Sequence, residues 1–111
     1  MSAPSAIGYL RHDISKARQV WDEAQIRSVA ARLGYDLRKT VVFGPHTDRP
    51  DLRLRTVVSR LGVDAVVTPS LAHLGGEVPD FLAKVCDVIT VEPETTYARS
   101  ANDLLPDSGG A

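Results

Sequence analysis

A chain of 111 residues has room for one small domain. Hydrophobic residues make up 43% of it and charged residues 24%, which is typical of a soluble globular domain. The formal net charge of −1 argues against a surface that coats DNA, because such a surface needs an excess of Lys and Arg.

The single cysteine and the short apolar runs argue against a disulfide-bonded protein and against a membrane protein. Cys86 has no second cysteine with which to form an internal disulfide, and its apolar sequence neighbours favour a buried, reduced thiol. No apolar run approaches the length of a membrane span, and no signal-peptide pattern opens the chain. We therefore expect a cytoplasmic protein that makes no membrane contact.

Strands and helices are predicted to alternate from the first residues onward. Ile7–Leu10 is a short apolar run and predicts the first strand. A helical segment follows, with Ser15 as its N-cap and Gly34 as the left-handed residue that ends it after Leu33. The β-branched and aromatic run Thr40–Phe43 predicts the second strand.

The second half of the chain continues this alternation. Pro50 is expected at the first position of a helix that Gly62 ends. The third strand is predicted at Asp64–Thr68 and the fourth at Val88–Val91, with a helical apolar stripe between them formed by Val78, Phe81, Leu82 and Val85. The domain is expected to span residues 1–99, and the polar composition of residues 100–111 predicts a disordered tail.

The strand composition and the order of elements predict the fold class. The strands are continuous apolar runs, which indicates a parallel sheet covered by helices on both faces. Right-handed crossovers then favour a three-layer, doubly wound, flavodoxin-like α/β fold with about four strands in the order 2-1-3-4.

The segment between the first two strands carries two opposed apolar faces. At helical spacing, two sets of apolar residues lie on nearly opposite faces. The first face is formed by Ala17, Val20, Trp21 and Ala24, and the second by Ile26, Val29, Ala30 and Leu33. One straight helix cannot bury both faces against one sheet. Either the helix breaks near Glu23 and Trp21 lies under a loop, or the first face contacts a partner, for which Trp is a favoured anchor.

Several short motifs follow one another in a recognisable order. They are Gly8-Tyr9-x-Arg11, Gln25, Gly34-Tyr35, Asp48-Arg49-Pro50-x-Leu52, Asp64-Ala65-Val66-Val67 and Leu71-x-x-Leu74. Together they resemble the N-terminal catalytic domain of the serine recombinase (resolvase/invertase) family. The resemblance implies a flavodoxin-like domain and a reaction in which a Ser hydroxyl attacks a DNA phosphodiester while Arg side chains neutralise the phosphate oxygens.

The chain departs from that family at the reactive positions. Asp13 stands in the slot of the nucleophilic Ser, and His73 and Gly76 stand in two of the arginine slots, whereas Arg11 and Arg49 match. Loss of one charge-stabilising group commonly costs about a hundredfold or more in rate. The pattern therefore implies a degenerate domain without strand-exchange activity. A slightly longer segment before Gln25 leaves one alternative open, in which Ser15 occupies the nucleophile position instead of capping a helix.

Polar side chains collect where the predicted strands end. His12, His46 and His73 follow the first, second and third strands, and Arg11 and Arg49 lie at the same carboxyl edge. Ligands bind at this edge in doubly wound folds. Histidines there suit a metal or general-base site, and the arginines suit an anion. No compact spacing such as HxxxH is present, so neither a metal ligand set nor a cofactor is predicted.

These observations favour a non-catalytic, resolvase-like domain that acts by binding. The partner is expected to be a second copy or another protein, contacted through Ala17, Val20 and Trp21, or a DNA-bound complex touched weakly by basic residues. Two alternatives stay open. One is a small enzyme or a metal or anion site at the histidine edge, and the other is a recombinase fragment that uses Ser15.

Overall fold

A computed structural model describes residues 3–100 of the chain as an open, mostly parallel five-stranded sheet flanked by helices. The strands are Ser5–Arg11 (β1), Asp36–Phe43 (β2), Ala65–Thr68 (β3), Asp87–Thr90 (β4) and Thr95–Tyr97 (β5). The α-helices are His12–Ser15 (α1), Gln19–Arg32 (α2), Pro50–Leu61 (α3) and Asp80–Ala83 (α4), and short 3₁₀ turns occupy Lys16–Arg18 and Leu71–Leu74.

The predicted α/β class is confirmed, and the sheet differs from the prediction by one strand. The spatial order is β2-β1-β3-β4-β5. The pairs among β1 to β4 are parallel, whereas β5 runs antiparallel to β4. Its three residues are too few to show a period in the sequence, and they become a strand only because β4 offers them a free edge.

Two apolar layers cover the two faces of the sheet. On one face, Ile7, Tyr9 and Val66 pack against Leu54 and other residues of α3 and α4. On the other face, Leu10, Val67 and Ile89 pack against Ile26 and Val29 of α2. Successive side chains along each strand therefore point to opposite layers. Val66, on the central strand β3, is fully buried.

The segment before α2 breaks earlier than the sequence predicted. Lys16 adopts a positive φ of 52° after α1, and α2 then runs without interruption through Glu23. Of the two alternatives that the sequence left open, the one with a break near Glu23 is therefore wrong. The first apolar face is left outside the core because only the second face reaches the sheet, and Val20 and Trp21 are exposed to 81% and 48%.

The end of α2 follows the sequence prediction closely. Gly34 has a φ of +87°, in the left-handed region that favours glycine. The Tyr35 amide donates to the Ala30 carbonyl at 2.8 Å, and the Gly34 amide donates to the Ala31 carbonyl at 3.1 Å. These two bonds form a Schellman motif that satisfies carbonyls at the helix end.

Between Val78 and Ser100 the structure differs from the sequence prediction in the length of the helix. The stripe of Val78, Phe81, Leu82 and Val85 yields only the four-residue α4, and Val85 is 47% exposed. Cys86 is buried and free, and burial raises the pKa of its thiol to about 12. The Ser100 amide donates to the Ala83 carbonyl at 2.7 Å, and the rest of the predicted tail, from residue 101, lies outside the described residues.

Candidate functional site

The most polar part of the carboxyl edge lies where the chain leaves β1 and β3. From β1 the chain continues to β2 on one side, whereas β3 is its neighbour on the other side. Such a switch point leaves a crevice between the two outgoing loops. The loops meet at one hydrogen bond, in which the Arg11 amide donates to His73 Nδ1 at 2.9 Å.

His73 is a buried, neutral imidazole at the centre of this crevice. Its residue surface is 4% exposed. Burial lowers its pKa, the nearby Asp22 carboxylate partly opposes that effect, and the Arg11 charge adds to it. Because Nδ1 accepts a hydrogen bond, the single proton of the neutral ring lies on Nε2. Within residues 3–100, Nε2 has no hydrogen-bond partner, so it is a donor available to a ligand.

The Arg11 side chain is paired with the carboxylate of Asp13. Its Nη2 and Nε donate to the two carboxylate oxygens of Asp13 at 2.8 and 3.2 Å. Desolvation acts to raise the pKa of Asp13, but the hydrogen bonds and charge of Arg11 outweigh it and hold that pKa below its usual value. Asp13 therefore occupies two N–H donors of Arg11 in the two-pronged geometry that arginine and carboxylate groups favour.

Ser15 holds the N-cap position of the Lys16–Arg18 turn, but its side chain makes no capping hydrogen bond, contrary to the sequence prediction. Its hydroxyl donates to the Asp22 carboxylate at 2.6 Å, and both residues are buried, at 5% and 6% exposure. Arg18 Nη2 lies 3.9 Å from Asp22 and 3.5 Å from Glu92, and its guanidinium stacks over the Trp21 ring at 4.6 Å. The α1–α2 turn is thus tied together by a buried polar pair and an exposed cation.

Two hollows flank His73. The first, called here the polar hollow, has a volume of about 320 Å³ and is lined by Ile14, Ser15, Arg18, Asp22, Pro69, Ser70, His73 and Glu92. The second, the apolar hollow, has a volume of about 260 Å³ and is lined by Tyr9, Arg11, Pro50, Asp51, Leu54, His73, Leu74, Gly75, Pro79 and Phe81. The same imidazole therefore forms part of the wall of both.

The remaining predicted site residues lie apart from these hollows. His12 packs so closely on Gly44 that a Cβ there would overlap its ring. His12 and His46 line one shallow depression beside the end of β2. Arg49 is exposed, has a φ of 52° and precedes α3. The predicted set of histidines and arginines is therefore divided, and residues 3–100 contain no group of three His, Cys, Asp or Glu side chains placed to hold a metal.

Sequence reasoning missed Asp22 and Tyr9 as site residues. Asp22 lies four residues before Ile26 and seven before Val29, so helical spacing puts it on the buried face of α2. The position of the Asp22 carboxylate among apolar residues of this face is the sequence signal that could have identified it. The sequence showed Tyr9 only as part of the motif Gly8-Tyr9-x-Arg11. Its place in the wall of the apolar hollow depends on α3 and on the Leu71–Leu74 turn, which are distant in sequence.

No family model, curated protein or solved structure matches this chain. The resemblance to serine recombinases therefore stays a prediction that rests on the motifs quoted above. No described helix is long and apolar enough to cross a membrane.

Proposed function

We propose that this domain is a non-catalytic, resolvase-like module that acts through protein contact. The observation that carries the contact role is an exposed apolar face, called here the Trp21 face, that Ala17 of the Lys16–Arg18 turn forms with Val20 and Trp21 at the start of α2. Val20 is 81% exposed and Trp21 48% exposed. Two large apolar side chains on one turn of helix are unfavourable in water, and burying them in an interface removes that penalty.

The closed pair of Arg11 and Asp13 supports the absence of strand transfer. A phosphoryl-transfer site needs cationic groups that are free to meet charge as it develops. Here the Arg11 guanidinium already donates to both oxygens of the Asp13 carboxylate, at 2.8 and 3.2 Å. The Asp13 carboxylate cancels the positive charge of Arg11, so the pair has no net charge. It therefore does not attract the negative charge of a phosphodiester.

The partner we propose first is a second copy of the chain. A two-fold interface must be self-complementary, since the same surface is presented by both copies. The rim of the Trp21 face carries both signs, because Arg18 lies over Trp21 and also 3.5 Å from Glu92. A net charge of −1 also produces little repulsion between copies.

Trp21→Ala tests this function. An aromatic anchor in an interface contributes about 2 kcal/mol or more, so the variant should weaken self-association at least tenfold. The fold should persist, because the ring is half exposed. Sedimentation equilibrium over a concentration series measures the association, and thermal unfolding measures the fold.

Val85→Ala is the matched control for Trp21→Ala. Val85 is also exposed, at 47%, but lies after α4, so its truncation should leave the association constant unchanged. A wild-type chain that stays monomeric throughout the series would contradict self-association. A large fall in the melting temperature of Trp21→Ala, with unchanged association, would show instead that Trp21 serves the fold.

Weak, accessory DNA contact is the second candidate function. Arg53, Arg55 and Arg60 are exposed on α3, and these side chains supply cations on one helix. Contacts of this kind are sensitive to salt. Fluorescence anisotropy with duplex DNA should therefore detect binding only at low ionic strength, and it should weaken in Arg55→Ala.

A further inference from the structure

The apolar hollow has the composition of a small-molecule site, and the protein contact proposed above does not use it. Leu54 and Phe81 supply apolar wall from two different elements, and Tyr9 comes from the sheet beneath them. Ligand sites are commonly apolar clefts with a few well-placed polar groups. A volume of about 260 Å³ suits a molecule built around one ring.

Two donors on buried side chains that line this hollow have no hydrogen-bond partner within residues 3–100. Tyr9 is 3% exposed, and its hydroxyl makes no hydrogen bond within residues 3–100. His73 is 4% exposed, and its Nε2 proton is likewise without a partner in this part of the chain. Among the described residues, Thr68 Oγ1 is the one fully buried side-chain polar atom without a partner. The Tyr9 hydroxyl and His73 Nε2 therefore keep some exposure, and both can donate to an acceptor that enters the hollow.

The charges around the hollow balance one another. Arg11 is paired with Asp13 at 2.8 Å, so it offers no net positive charge. Asp51 lies in the first turn of α3, where the partial positive charge of the helix N-terminus offsets the carboxylate. A ligand with a full charge would therefore lose its hydration without gaining a free counter-ion.

We propose that the apolar hollow binds a small, uncharged molecule that has a flat apolar body and a carbonyl oxygen, as in an aromatic primary carboxamide. The carbonyl oxygen has two lone pairs, and it accepts hydrogen bonds from the Tyr9 hydroxyl and from His73 Nε2. The ring packs between Leu54 and Phe81. The ligand leaves the Arg11–Asp13 pair intact.

Three probes of the same ring size and different charge test the proposal. Benzamide is neutral, benzoate is an anion, and benzylamine is a cation at neutral pH. We expect saturable NMR shifts of residues around the hollow with benzamide, and a dissociation constant at least fivefold lower than for benzoate or benzylamine. The ¹⁵N resonance of His73 Nε2 should move in the same titration, which reports the proposed hydrogen bond in the unaltered protein.

Tyr9→Phe removes one of the two donors and keeps the ring. Because its hydroxyl has no partner within residues 3–100, the variant should keep the fold and the edge contact with Phe43, whose ring centroid lies 5.5 Å away. Benzamide binding should weaken about five- to tenfold, the usual contribution of one neutral hydrogen bond. Tyr97→Phe, which removes the same group from the exposed β5 edge, should bind benzamide as the wild type does.

Three results would overturn the proposal. They are tighter binding of benzoate than of benzamide, shifts that never saturate for any of the three probes, and benzamide shifts that leave the His73 Nε2 resonance unmoved. The first would indicate an anion site at Arg11. The other two would show that the hollow does not recognise a carbonyl compound through these donors.

Discussion

His73 connects the two loops of the crevice through a single acceptor atom. The Arg11 amide has its partner only while Nδ1 of His73 carries no proton. Burial already lowers the pKa of this imidazole, so the neutral form that the fold requires is also the form that the environment favours. In the resemblance His73 stands in an arginine slot, yet its surroundings suit an uncharged side chain.

We predict that acid destabilises the protein through His73 before the carboxylates titrate. The folded pKa lies below the unfolded value of about 6.5, so the unfolded chain binds more protons as the pH falls and becomes favoured. The contribution of neutral His73 is present above about pH 6.5 and is lost below it. Asp13, whose pKa is also lowered, loses its contribution only near and below about pH 4.

Melting temperatures measured between pH 7 and pH 5 check this prediction. His73→Asn keeps an acceptor for the Arg11 amide and removes the titration, so its melting temperature should change less with pH than that of the wild type. His46→Asn is the control, because His46 is exposed. Equal pH dependence in the wild type and His73→Asn would contradict the assignment.

At the scale of elements, the close contact between α2 and β1 explains why residue 8 is a glycine. This explanation assigns Gly8 no catalytic role. A Cβ at Gly8 would lie 2.8 Å from Ile26 Cγ2 and 2.8 Å from Thr40 Oγ1. Gly8 therefore lets α2 approach β1 while β2 pairs beside it. In the motif Gly8-Tyr9-x-Arg11, the glycine serves packing.

We predict that Gly8→Ala destabilises the domain by about 1–3 kcal/mol, since inserting a methyl group into a filled core forces neighbours to move. Gly34→Ala is the matched comparison. Its positive φ of 87° strains the new side chain, but the space around it is open, so about 1 kcal/mol is expected. Denaturant unfolding measures both, and a smaller loss in Gly8→Ala than in Gly34→Ala would contradict the close approach.

At the scale of the whole molecule, the fold brings Arg11, Ser15 and His73 together at the carboxyl edge and leaves Arg49 apart from them. Arg11 is held by Asp13, Ser15 by Asp22, and Arg49 is exposed outside both hollows. Within residues 3–100, the Asp13 and Ser15 side chains both have partners, and Arg11 and Arg49 do not line a common pocket.

We predict no strand cleavage and no covalent protein–DNA adduct. Supercoiled plasmid and suicide substrates, followed by denaturing gels, provide the measurement. Asp13→Ser should also stay inactive, because in the resemblance His73 and Gly76 still stand in two arginine slots. An adduct that disappears in Ser15→Ala would contradict this prediction and favour the alternative alignment.

The sequence by itself determined the α/β class and the positions of four strands. Continuous apolar runs and left-handed glycines such as Gly34 and Gly62 act locally, so they can be recognised without knowledge of distant residues. The same local signals placed three histidines at the ends of strands, and they placed Trp21 on a face opposite to Ile26.

Only the tertiary structure decided which of these residues meet. β5 exists because β4 offers an edge, and α2 leaves Trp21 exposed because its second face alone reaches the sheet. His73 pairs with the Arg11 amide across 62 positions of sequence, and Tyr9 shares the apolar hollow with Leu54 and Phe81. Contacts between distant segments depend on how the layers pack, and the periodicity of one segment carries no information about the others.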